Sequence, residues 1–60
     1  MQKPHWRIAF LHNEKAYSAA NSAYVEALRQ GHTEWRADQI AAAAGTAFIT
    51  AAKSIAIVEH

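Results

Sequence analysis

Sixty residues with a formal net charge of +1 and no cysteine make one domain at most, and exclude disulfide staples and thiolate metal sites. So small a charge makes no electrostatic case for nucleic acid or an anionic membrane. Fifteen alanines against two glycines and one proline point to an all-α fold, and a chain this short buries so little surface that self-association is expected.

The first half carries apolar residues at helical spacing. Trp6, Phe10, Asn13, Tyr17, Ala20, Tyr24 and Ala27 recur at alternating steps of four and three, with Ala9, Ala16, Ala23 and Leu28 widening the stripe. Pro4 suits the first helical position, where a missing N–H costs nothing. One helix over about 4–30 is predicted. A short strand at WRIAFL, residues 6–11, is the rival, because Trp6, Ile8 and Phe10 also alternate. Its only candidate partner is IAIVE, residues 55–59. Asn13 falls on the seam, where one buried polar residue can set register.

QGHTEW, residues 30–35, is the clearest punctuation. Gly31 suits the left-handed position after a helix, and Thr33 the N-cap of the next, with Glu34 in its first turn. With the turn at 31–32, a second helix is predicted over about 33–58. Its stripe is Ala37, Ile40, Ala44, Phe48, Ala51, Ile55 and Val58. Lys53 cuts its uncharged stretch well short of the roughly 20 apolar residues a membrane span needs.

Folding the two helices at Gly31-His32 pairs Ala27 with Ala37, Tyr24 with Ile40, Ala20 with Ala44, Tyr17 with Phe48, Phe10 with Ile55 and Trp6 with Val58. Large and small residues then alternate between layers, as interdigitating helices require. A second stripe of small residues, Ala42, Gly45, Ile49, Ala52 and Ala56, adjoins the seam and makes the apolar face too wide for one partner helix. The expectation is a two-helix antiparallel hairpin that dimerises through this second stripe into a four-helix bundle.

QIAAAAGTAFITAAKSI, residues 39–55, permits another reading. It resembles the bacterial helix-turn-helix motif, with Ile40 and Ala41 in its first-helix core, Ala44-Gly45 as its turn and Ile55 at its late apolar position. The resemblance implies a DNA-binding regulator. The chain departs from the motif at Thr46, Ala51 and Ser54. Of the residues that would face bases, only Lys53 is of a type that reads them. The expected bundle resembles the plasmid copy-number protein Rop in architecture, without a matching motif, which makes RNA binding the companion alternative.

No catalytic constellation is evident. His5 and His12 are too far apart to bind one zinc ion from a helix, although the hairpin would bring His5 near Glu59 and His60. Glu34 and Asp38 read as a solvated helix start. The outer face of helix 1 combines Arg7, Ile8, Leu11, Lys15, Val25 and Arg29, and apolar anchors interleaved with arginine suit a protein interface. The reading is a small non-enzymatic regulatory or adaptor protein that needs no cofactor and binds a protein partner, inhibiting it where it covers a working surface. With no secretory leader visible in MQKPHWRIAFLHNEK and no cysteine, a cytoplasmic location is expected.

Overall fold

The computed structural model describes residues 5–59, with side chains described for 5–53. Three helices with helix–helix packing account for most of the chain: α1 Trp6–Ala9, α2 Glu14–Arg29 and α3 Glu34–Glu59. No strand occurs among the described residues, so neither 6–11 nor 55–59 takes the strand form. Pro4 lies outside the described residues.

The single helix expected over 4–30 is instead two. Phe10 leaves helical geometry at φ −104°, ψ 15°, ending α1 after one turn. The chain then bends through Leu11 and His12, with the Asn13 N–H donating to the Phe10 carbonyl at 3.0 Å. Asn13, expected on the seam, is the N-cap of α2: its backbone is extended, and its Oδ1 accepts from the Ala16 N–H at 3.1 Å. Glu14 follows in the first turn, where the helix dipole favours an acid. The apolar period runs through this break because the residues on both sides of it are needed in the core, and period alone does not register a cap.

The second boundary follows the expected chemistry. Gly31 has φ +95°. Its N–H donates to the Leu28 carbonyl at 3.0 Å, and the His32 N–H to the Ala27 carbonyl at 3.1 Å, the paired bonds of a Schellman cap. Thr33 Oγ1 accepts from the Arg36 N–H at 3.2 Å and opens α3. α3 then continues without interruption through Gly45, whose φ is not positive. The helix-turn-helix reading needed a turn there, and there is none.

α2 and α3 form the main packing contact. The buried residues of the two helices are all small: Ala16, Ala20 and Ala27 on α2, and Ala37, Ala41 and Gly45 on α3. On α3 this is a step of four, not the alternation of three and four through Ile40 and Ala44 that the sequence stripe follows. Rows spaced by four are the natural ridges of helix packing, and a row of alanines lets two backbones come close. Ile40, Ala44 and Phe48 flank the row and remain half-buried.

α1 lies back over this pair. Trp6 is 3% exposed and, with Phe10, supplies the only large side chains among the buried described residues. The bend at 10–13 carries Trp6 to Tyr17 and Tyr24, with ring centroids 5.4 and 5.7 Å away, and to Asp38 near the start of α3. Phe10 lands on Gly45. The expected partners of Trp6 and Phe10, Val58 and Ile55, have side chains outside the described set, but the aromatic residues themselves are committed elsewhere.

Candidate interaction surface

The residues that fix α1 also define the most distinctive surface of the molecule. Trp6 Nε1 donates to Asp38 Oδ1 at 2.9 Å, and His5 Nε2 lies 3.1 Å from the same oxygen. One carboxylate therefore receives the N-terminal end of α1 twice. His5 also caps that helix, its Nδ1 accepting from the Arg7 N–H at 3.1 Å. With Nδ1 accepting, Nε2 is the nitrogen that carries the proton toward Asp38. Both ring nitrogens are thus occupied in holding α1. Among the described residues no three potential ligands gather into a metal site, and His5 sits at Asp38 rather than at the far end of α3.

Arg7, expected on the outer face of helix 1, is exposed, and its guanidinium lies 4.5 Å from the Trp6 ring centroid and 4.9 Å from that of Tyr24, a cation over two aromatic faces. The stacking joins α1 to α2 and covers part of the tryptophan. The other members of the expected docking strip are distributed over two elements. Ile8, 63% exposed, stands on α1, and Leu11, 70% exposed, on the bend that follows. Lys15, Val25 and Arg29 lie on α2, all exposed, with Arg29 at 4.0 Å from Glu26. The break at Phe10 thus separates residues that one continuous helix would have aligned.

The stripe assigned to dimerisation is also redistributed. Gly45 is buried beneath the Phe10 ring of its own chain, while Ala42 and Ile49 pack partly against the same core. Ala52 is exposed, and the Ala56 side chain lies outside the described set. What this part of α3 does leave open is a groove of about 630 Å³, walled by Trp6, Ala9 and Phe10 on one side and by Ala42, Ala43, Thr46 and Ala47 on the other. Thr46 brings the one side-chain hydroxyl to this lining. A smaller hollow of about 190 Å³, lined by His5, Trp35, Asp38 and Gln39, shares Trp6 and Ala42 with it.

Asp38 and Trp35 are the residues that sequence reasoning missed. Asp38 resembles any acid in a helix's first turns, because its donors lie 32 and 33 positions away and nothing local announces them. Trp35 did leave a signal: it is an aromatic off the apolar stripe, and at 70% exposure it is as open as Leu11.

Comparison with protein families, with curated proteins and with solved structures finds no match. The functional reading therefore rests on this chain's own residues.

Proposed function

We propose that this chain is a small non-enzymatic regulatory or adaptor protein of the cytoplasm that acts by binding another protein, with its α2–α3 hairpin dimerising into a four-helix bundle. The observation that carries the reading is the exposure of Ile8 and Leu11 at 63% and 70% on and just after α1. Large aliphatics held open on a segment whose own aromatics are buried are the anchors an interface uses. Val25, Lys15 and Arg29, also exposed, stand apart on α2 and offer further apolar and cationic groups. A regulator of this kind inhibits its partner wherever the surface it covers is otherwise in use. The nucleic-acid alternative loses its best form, because Gly45 stands inside a continuous helix.

The test is affinity capture from host lysate with the intact chain and with Ile8→Asp and Leu11→Asp. Both positions are largely exposed, so both variants should keep the full helical signal. A charge at the centre of an apolar interface is costly unless paired. The expected result is a partner captured by the parent chain and lost by both variants. A partner captured equally by all three would overturn the assignment of this surface. Arg7→Glu is the poorer probe, since it would also remove the stacking on Trp6 and Tyr24.

A further inference from the structure

The groove between α1 and α3 and the exposed Trp35 lie on one face of one helix. Residues 35, 42 and 46 are separated by seven and four positions, close to two turns and one turn, so Trp35, Ala42 and Thr46 share a line along α3. The small hollow beside Trp35 and the groove share Trp6 and Ala42 in their walls. A knob and the socket that suits it are therefore on the same patch, about 16 Å apart along the helix.

We propose that this face is the dimer interface, with Trp35 of each copy seated in the groove of the other. The proposal rests on the dimer reading above and names its contact surface. A two-fold interface is self-complementary, so that if residue i meets j, then j meets i. Two antiparallel α3 helices crossing near Gln39–Ala42 satisfy this condition. Trp35 of one copy then stands opposite Thr46 of the other, and the reverse contact follows by symmetry. The walls the indole would meet are the rings of Trp6 and Phe10 and the methyl groups of Ala42, Ala43 and Ala47. The Thr46 hydroxyl is the available acceptor for its N–H.

Area favours a second copy as the occupant. Aromatic side chains bury about 150–250 Å² each, and most of that is still open at Trp35. Two such side chains and the two groove walls they cover supply about 400–700 Å². The line of α3 between them, through Gln39 and Ala42, extends the contact toward the roughly 1,000 Å² that a specific interface needs. The need is also present, because apart from Trp6 and Phe10 the fully buried side chains described are all alanine. This face shares Ala42 with the stripe through Gly45 but does not include Gly45 itself, which Phe10 already covers.

Sedimentation equilibrium of the full chain over micromolar to submillimolar concentrations tests the proposal, with Trp35→Ala, Thr46→Glu and, as control, Leu11→Asp. All three positions are exposed, and circular dichroism verifies that each variant is folded. The parent chain should be a dimer. Trp35→Ala and Thr46→Glu should each weaken it about tenfold or more, as loss of an interface anchor does, and Leu11→Asp should leave it unchanged. Both losses are required. A parent dimer that survives either substitution overturns this face while leaving the dimer reading standing. A parent chain that is monomeric throughout overturns both.

Discussion

Asp38 accepts from Trp6 and His5 at once, so its removal should be felt well beyond its own helix turn. Asp38→Ala leaves the indole N–H of a buried tryptophan without its acceptor. The expected loss is about 1.5–2 kcal/mol, the lower part of the range for hydrogen bonds to charged groups, because the carboxylate is partly solvated. Asp38→Asn keeps an acceptor oxygen and should lose less. Urea melts of the two variants check the order, and equal losses would count against the indole bond. Gly45 is decided by space. A Cβ built there would meet the Phe10 ring, 2.5 Å from Cζ and 2.8 Å from Cδ2. The sequence permits Gly45→Ala to be mild provided a methyl group fits, and it does not fit. Overpacking of about 1–3 kcal/mol should outweigh the roughly 1 kcal/mol that alanine gains in a helix. In a Phe10→Ala background the clash is gone, and the same Gly45→Ala change should become stabilising. Thermal melts of the four proteins measure that reversal of sign.

At the scale of the element, the break between α1 and α2 has a single-residue test. Asn13 closes the first turn of α2 through Ala16, so Asn13→Ala should cost about 1 kcal/mol, the usual value of an N-cap. In one unbroken helix over 4–30 the same substitution would stabilise, because alanine is the better helix former. The sign of the change in melting temperature therefore separates the two architectures. α1 itself is four residues long, far below what a free helix requires, and stands only through its cap and its tertiary contacts. Its period was legible in the sequence because Trp6 and Phe10 do face the core. Its direction was not, because a reversal at 10–13 leaves that spacing intact. The local clue was Asn13-Glu14, the same cap-then-acid pattern as Thr33-Glu34. The Thr33 boundary stood out because Gly31 precedes it, whereas no glycine or proline marks the bend at Leu11-His12.

For the whole molecule, the described core contains two large side chains and otherwise small ones, while Ile8, Leu11, Val25, Leu28 and Trp35 are exposed. A 60-residue chain packed this way gains much of its stability from association, on the dimer reading. Its melting temperature should therefore rise with protein concentration, as mass action requires when folding and assembly are linked. A concentration-independent transition in scanning calorimetry would contradict that linkage. α2 with 16 residues and α3 with 26 differ by about 15 Å in length at 1.5 Å per residue. The expected hairpin of nearly equal arms is thus replaced by a shorter α2, with α1 turned back over the half of α3 nearer the loop. No described helix is long and apolar enough to cross a membrane.

Local chemistry was enough for the helical class, the Gly31 cap and the Thr33 start. Each depends on residues within a few positions of one another: alanine-rich composition, a glycine able to take positive φ, a hydroxyl three residues before the N–H it caps. At Gly45 local chemistry left a turn and a continuous helix both open until the structure showed the helix. Where α1 lies, why Gly45 must lack a side chain and what Asp38 holds were settled by tertiary structure. These contacts join residues more than 30 positions apart, at distances of a few ångströms that no spacing rule encodes. A hydrophobic period tells which face of a helix is buried, but several partners can bury the same face. Here the chain's own Trp6 and Phe10 cover part of the face that a second copy was expected to cover, because the bend at 10–13 brings them within reach of it.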